Sequence, residues 1–463
     1  MATPKRTLTP QALNWIGASV FAVLALAHFL VIVRNAVDLP YLDEWRYFEP
    51  GGLSQELNWG WIFQQQNEHR VILTHLMVWI LYRVDRLDMV ANVAVNFPIY
   101  LIIPLLYLWI SRLQLGVQAW IIWPFLWLLL TPLDWENHSW GFQNQWHFHL
   151  ITMTLGVILL FHPRPTTLKT ALGTGSLILD VASFAGGVVP PVTIALAFAI
   201  YRTWQMSRGG FERRDVMQTL AVLLVVSSVA AWWYAEFEKP PHNPPLVWPT
   251  DREFWAHYLN GLSLAFGNGS HPIRGRASLG LLGIFYGFVW IVPLIWQTFR
   301  RESGARDATL VIRVVLVGAT LVGFAIVSMG RGFWGVGLPS RYYEMVLPLV
   351  PVTALSWAAI PRRRMRNLVL VGLWVLILCI DGPNWNDTMY EAHRNDLREA
   401  EACIRAYYAR REQDLQAAMG RSDAHRAVWG RAKCLTTDPN DIGRSLDRAR
   451  ELGVMFTRTM HGP

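Results

Sequence analysis

The sequence predicts an all-α polytopic membrane protein, and three observations carry that reading. Of its 463 residues, 53% are hydrophobic and only 16% are charged, below the roughly 25% charge of a soluble chain. Long uncharged runs recur along most of the chain, and each can cross about 30 Å of hydrocarbon. The chain also holds 24 tryptophans, which suits aromatic belts at both membrane faces. Trp also suits stacking on sugars, but the belts explain it by default. The first run, Leu13 to Val33, is too long for a signal-peptide core and no small-residue cleavage site follows. It reads as a retained helix.

About eleven spans follow in order, at 13–33, 89–111, 118–132, 147–161, 167–181, 187–203, 216–235, 279–298, 311–329, 343–360 and 367–381. Between them lie basic clusters: Lys5 and Arg6; Arg112; Arg164 and Lys169; Arg202 to Arg214; Arg300, Arg301 and Arg306; Arg362 to Arg366. Short loops rich in Lys and Arg favour the cytoplasmic side. With the N-terminus inside, eleven spans place every one of these clusters inside. The formal charge of +8 is thus a topology signal, and nucleic acid is not an expected partner. One apolar segment stays out of the count. "VILTHLMVWILY", 71–82, is 12 residues long before Arg83, which suits an interfacial or re-entrant helix. Counting it would invert the side of everything after it. "SFAGGVVPP" interrupts the spans at 167–181 and 187–203.

The outer face then carries loops 34–88, 133–146, 236–278 and 330–342, and the tail from 382. This divides the chain into a transmembrane domain, 1–381, and a small helical C-terminal domain, 382–463, on the outer side. The tail reads as one long helix, capped by Asn386 or Asp387 and ended by Gly420, and a second through "DPNDIGRSLDRAREL". Cys403 and Cys434 stand either as a disulfide or as free thiols. The three cysteines lack metal-ligand spacing.

Three outer stretches concentrate polar and aromatic residues: "YLDEW" with "QQQNEHR", "LDWENHSWGFQNQWHFH" at 133–149, and "GRGFWGVGLPSRYYE" at 330–344. Ionisable residues at span ends are a functional hypothesis by default. Carboxamides, imidazoles and Trp suit a sugar. Arg341, Arg331 and Arg70 suit a phosphate, because guanidinium donates in a planar fork. A carboxylate is a natural base for a hydroxyl proton. Asp43 is the first candidate, against a helix cap at the membrane edge. Glu44 is the second, against a surface partner for Arg46, since two adjacent acids project in different directions. Glu68, His69 and Arg70 read as donor or acceptor contacts, or as the polar start of the interfacial helix. Asp134 and Glu136, with Asn137, His138 and Gln143, read as acceptor contacts. A divalent cation, Mg or Mn, on Asp43, Asp134 and Glu136 stays open, while His138, His147 and His149 lack zincin spacing. Tyr342 joins the binding set, with a belt role beside it. Asp180 reads as a span boundary, against a buried functional acid. No P-loop, GxSxG or Rossmann fingerprint occurs.

A membrane helix followed at once by "LDEW" resembles the GT-C superfamily of membrane glycosyltransferases. "LDWENHSW" sits where that superfamily has its second acidic motif. The short helix after "NEHR" sits where polyprenol-sugar transferases carry a Lys-Pro-Pro-Leu stretch and a juxtamembrane helix. The Lys-Pro-Pro is missing here, and Asp134-Trp135-Glu136 replaces an Arg-Pro-Asp. The resemblance implies a GT-C-like fold with juxtamembrane helices in loop 34–88. It implies a bacterial inner-membrane enzyme whose site faces the periplasm. Its donor would be a polyprenyl-phosphate monosaccharide, its acceptor a hydroxyl of a glycan or lipid, and its surroundings membrane lipids. Rival readings are a polymerase or ligase of diphosphate-linked glycans and a lipid-glycan flippase or transporter. A non-enzymatic scaffold leaves the three polar stretches unexplained.

Overall fold

Residues 8–210, 212–241, 243–267, 275–299, 305–335, 338–381, 388–410 and 439–460 are described by a computed structural model. Among them there is no strand. The α-helices are α1 (Pro10–Asn35), α2 (Trp59–Phe63), α3 (Ile72–Asp85), α4 (Met89–Leu115), α5 (Trp123–Leu128), α6 (Trp135–Ser139), α7 (Asn144–Leu160), α8 (Thr167–Val181), α9 (Val189–Gly209) and α10 (Arg213–Ala235). Then come α11 (Arg252–Ser263), α12 (Arg276–Tyr286), α13 (Val292–Phe299), α14 (Ala305–Arg331), α15 (Tyr343–Val346), α16 (Leu349–Ala358), α17 (Arg363–Asp381), α18 (Thr388–Arg410), α19 (Pro439–Leu452) and α20 (Met455–Met460).

Local chemistry sets the helix starts. Thr9 Oγ1 accepts the Ala12 N–H at 3.2 Å and Pro10 occupies the first turn of α1, where a missing N–H costs nothing. Asp88 Oδ1 caps α4 through Val90 and Ala91.

Every expected span contains helix. Six segments are long and apolar enough to cross a membrane: Pro10–Asn35, Met89–Ser139, Ala185–Gly209, Arg213–Ala235, Arg276–Phe299 and Ala308–Arg331. The other expected spans fold as shorter pieces. α7, with 17 residues, rises only about 25 Å at 1.5 Å per residue. It packs against α4, α8, α9 and α14, and nearly all of its residues are buried. An all-round apolar helix belongs at such a centre. α3 has 14 residues and is too short to span, as its sequence implies.

The polar loops meet at one end. Arg70 reaches the Glu236 carbonyl, Ile72 N–H donates to Ala182, and Asn137 reaches the Arg341 carbonyl. The short basic loops meet at the other end. There Gln114 reaches the Leu355 carbonyl, Asn14 reaches Val117, and Arg214 meets Thr167.

A second apolar core lies beside the bundle. Trp45, Phe48, Val78 and Tyr82 from the first polar loop share it with Leu397, Ile404, Leu446, Leu452 and Phe456 from the tail. The Met455 N–H donates to Arg86 at 3.0 Å, and the Tyr82 hydroxyl to Leu452 at 3.0 Å. The expected second tail helix is α19. The caps expected at Asn386, Asp387 and Gly420, the domain boundary at 381/382 and the pairing of Cys403 with Cys434 lie outside the described residues.

Candidate functional site

The stretch 41–48 turns as a short 3-10 helix, Leu42–Phe48, and the turn separates the two acids. Glu44 points inward and is 2% exposed. Its Oε2 accepts the Tyr41 N–H at 2.8 Å. Its Oε1 accepts the Phe142 N–H at 3.0 Å and Asn92 Nδ2 at 3.3 Å. Gly141 makes this possible. A Cβ there would lie 2.0 Å from Asn92 Nδ2 and 2.6 Å from Glu44 Oε1. Burial pushes the Glu44 carboxyl up to about 8, against the pull of the N–H donors. Leu42 has φ +44°, a strained backbone for a branched side chain. The three bonds to Glu44 help to hold it.

Asp43 points the other way and is half-buried. It faces a tight turn in which Gln66 and His69 exchange backbone hydrogen bonds of 2.7 and 2.9 Å. Asn67 sits there at φ +52°, a conformation Asn tolerates, and donates Nδ2 to Asp43 Oδ1 at 3.1 Å. Gln66 Nε2 donates to the Asp43 carbonyl at 3.0 Å.

Around Asp43 stand two carboxylate–arginine pairs. Glu68 pairs with Arg331 at the end of α14. Glu136 accepts Ser340 Oγ at 2.9 Å, the Arg341 N–H at 3.1 Å and Arg341 Nη1 at 3.1 Å. The Arg341 guanidinium lies 5.7 Å from the Tyr342 ring centre. His69 stands between the pairs. Its ring stacks on Phe184 at 4.7 Å, and its Nδ1 accepts the Ala185 N–H at 3.2 Å, so a neutral ring carries its proton on Nε2. Burial pushes its pKa down to about 4, while Asp43 pulls it up and Arg341 pushes it down. Both charges therefore act on one imidazole.

Beneath this layer lies a fully enclosed cluster. His147 Nδ1 is 2.8 Å from Glu344 Oε2. Asp134 Oδ2 is 3.2 Å from His138 Nε2, out of hydrogen-bond alignment. The rings of His28 and His138 are 5.0 Å apart, and those of His138 and His147 are 5.6 Å apart. Among the described residues, Asp134 Oδ1, His138 Nδ1, His147 Nε2 and Glu344 Oε1 have no well-aligned hydrogen-bond partner. Orphaned buried groups of this kind are costly. Asp134, His138 and Glu344 each offer a ligand atom within 4.8 Å of the others, so this donor set fits a divalent cation. The imidazole favours a first-row transition ion over Mg, which prefers oxygen.

The site thus gathers Asp43, Glu68, His69, Arg331, Glu136 and Arg341, and other residues singled out in the sequence serve elsewhere. Glu44 is held by three donors inside the fold. Arg70 donates to the carbonyls of Phe63 and Glu236 at 2.8 and 2.9 Å and stacks over Trp232 at 5.3 Å. It ties the 58–70 loop to the end of α10. Gln143 Oε1 holds Trp146 Nε1 at 2.5 Å. Tyr342 is buried with its ring 5.6 Å from Trp146, so it is neither a surface ligand nor a belt residue. Asn137 supports Arg341 through its carbonyl at 3.0 Å. The cation grouping is Asp134 with His138 and Glu344, because Asp43 and Glu136 turn to Asn67 and Arg341. Asp180 is the next-to-last residue of α8, and it is also buried and lies 2.5 Å from His149 Nδ1. Sequence reasoning passed over Glu344, His28 and His147 as site residues. The signal for them is a charge or imidazole inside an apolar run, which demands a buried partner.

Fold and site together define a many-helix membrane protein with a charge-rich polar site at one end of its apolar bundle. The structure is similar to that of ArnT from Cupriavidus metallidurans. One solved form, bound to undecaprenyl phosphate, is 13% identical with a TM-score of 0.47, covering 96% of this chain and 78% of that one. The apo form is 14% identical with a TM-score of 0.44, covering 97% and 77%. No family model and no curated protein sequence matches the chain. The likeness concerns the path of the chain, and no residue role is taken from it.

Proposed function

We propose that this protein is a membrane glycosyltransferase that moves a monosaccharide from a polyprenyl-phosphate donor to an acceptor hydroxyl of a glycan or lipid. One observation supports this reading above others. A half-buried carboxylate, Asp43, and the Arg341 guanidinium both act on the His69 imidazole, and Arg341 and Arg331 are each oriented by an acid. Asp43 Oδ1 is fixed by Asn67, and Oδ2 has no protein partner among the described residues. Oδ2 takes the proton of the acceptor hydroxyl. The hydroxyl oxygen attacks the anomeric carbon as the bond from that carbon to the phosphate oxygen breaks, and configuration inverts. The polyprenyl phosphate leaves with the electron pair. Arg341, whose Nη1 is held by Glu136, turns its remaining donors to the departing charge. The site would face the periplasm of a bacterial inner membrane, following the charge bias of the loops.

The test uses purified protein in lipid with a panel of polyprenyl-phosphate monosaccharides. Asp43→Asn should lower transfer by about 10²–10⁴-fold and keep the wild-type melting temperature. Near-normal transfer in that variant removes the base assignment. Arg341→Ala should abolish the rise in melting temperature produced by polyprenyl phosphate, and a retained rise removes the phosphate role.

A bound cation at Asp134, His138 and Glu344 is a second feature of the proposal, favoured by their orphaned ligand atoms. It would balance the buried acids and hold the floor of the site in place. Elemental analysis should find about one divalent ion per chain in the wild type and none in Glu344→Gln. A metal-free wild type defeats this reading.

A further inference from the structure

At the opposite end of the bundle a cavity of about 460 Å³ opens between α4, α13, α14 and α16. Gln114, Trp296, Gln297, Arg313 and Arg366 line it. Arg313 and the site residue Arg331 share α14 and stand 18 residues apart, about 27 Å at 1.5 Å per residue. The cavity is therefore most of a membrane thickness away from Asp43.

Arg313 is 2% exposed. Its Nε donates to the Thr309 carbonyl at 3.1 Å and its Nη1 to the Leu355 carbonyl at 3.5 Å. No carboxylate lies within ion-pair reach among the described residues. An enclosed guanidinium without a counter-charge among the described residues is strongly unfavourable, and a bundle tolerates it where an anion completes it. Two further cations stand at the mouth. Arg366 lines it, and Arg362 lies 5.9 Å from the Trp296 ring centre. Trp296 is shared with a second hollow of about 350 Å³, walled by Val292, Ile295 and Phe299. Those three side chains are 39%, 49% and 83% exposed. A cationic cavity thus adjoins an apolar groove, with one tryptophan as the common wall.

We propose that this is a binding site for an anionic phospholipid, with its phosphate in the fork of Arg313 and its acyl chain in the Val292–Phe299 groove. The planar fork matches phosphate oxygens. The groove supplies what a free phosphate would not use. This site is independent of the transfer chemistry at Asp43.

Native mass spectrometry of the full chain in detergent tests it, with phosphatidylglycerol and phosphatidylcholine as probes. Wild type should prefer phosphatidylglycerol by tenfold or more, and Arg313→Leu should lose that preference. Arg313→Leu removes an unpaired buried charge, so without lipid its melting temperature should equal or exceed the wild-type value. If that variant does not fold, Arg366→Gln and Trp296→Ala decide, each weakening phosphatidylglycerol binding by at least threefold. An equal preference in wild type and variants overturns the proposal, as does equal binding of both lipids by the wild type. Inorganic phosphate is the third probe. A rise in wild-type melting temperature as large as that from phosphatidylglycerol overturns the lipid assignment.

Discussion

Glu44 and Glu344 are both enclosed acids at the same end of the bundle, 2% and 0% exposed, yet their surroundings differ in kind. Glu44 meets three N–H donors, and a glycine clears the space for them. Glu344 meets the His147 imidazole and the side chains of Asn137 and Asp134, and its Oε1, like atoms of Asp134 and His138 beside it, is without a well-aligned hydrogen-bond donor among the described residues. A carboxylate that has its donors acts as a strut of the fold. A cluster that lacks them stores a demand for a cation or a proton, and that cluster sits on the same two segments as Glu136 and Arg341.

The difference can be broken most forcefully at Gly141. Gly141→Ala drives a methyl group to within 2.0 Å of Asn92 and 2.6 Å of Glu44. Asn92 sits in a helix and is itself buried, so it has little room to retreat. The expected result is a loss of several kcal/mol, of the size of the larger overpacking penalties, read as little monodisperse protein on size-exclusion chromatography. A variant that melts within two degrees of wild type would mean that Glu44 is not held as described.

Glu44→Gln sharpens the same point and carries a pH signature. The amide places an N–H₂ group against one of three N–H donors, at a cost of about 1–3 kcal/mol. The Glu44 pKa is raised to about 8 in the folded state, from an ordinary value of 4.5. The folded chain therefore holds a proton that the unfolded chain has lost between those values. That contribution is fully present below about 4.5 and is lost as pH rises through about 8. The gap in melting temperature between wild type and Glu44→Gln should narrow from pH 5 to pH 8. His69 tends the opposite way. Its folded pKa is lowered to about 4 from 6.5, so it costs stability as pH falls from 6.5 towards 4. It does so in both proteins and cancels in the difference. A gap that widens with pH would reverse the reading of Glu44.

The helices were legible in the sequence, and the fates of the two acids were not. Apolar run length and loop charge locate the helices, and even the short α3 follows from 12 apolar residues ended by Arg83. Asp43 and Glu44 are neighbours, and only the 3-10 turn at Leu42 and the approach of Gly141, about a hundred residues later, send one outward and one inward. Arg70 looked like a phosphate ligand because its partner, Glu236, lies 166 residues away. Glu344 stood in view at the head of an apolar run. Its partner His147, 2.8 Å away, lies 197 residues earlier in the chain.

On the orphaned side the expected cost is smaller. Wild type and Glu344→Gln should be compared after treatment with a chelator. Glu344→Gln keeps an oxygen that can accept from His147 and removes only the acid's charge, so the variant should melt within about 1 kcal/mol of the stripped wild type. Untreated, the wild type should be the more stable of the two. A Glu344→Gln protein that loses as much as Glu44→Gln under chelation would make both acids struts and erase the contrast.

The smallest effect probes how the tail closes over that cluster. Tyr390 on α18 holds His28 Nε2 at 2.8 Å, and the His28 ring abuts His138. Tyr390→Phe keeps the ring and deletes one buried hydrogen bond, which costs about 1 kcal/mol. If the bond is what the tail contributes here, Tyr390→Phe and His28→Gln should couple by roughly 0.5–1 kcal/mol in a double-mutant cycle, since residues in contact are not additive. Additive losses would mean that the Tyr390–His28 bond does not tie α18 to the cluster. The orphaned cluster would then be enclosed by the bundle alone, without help from the tail.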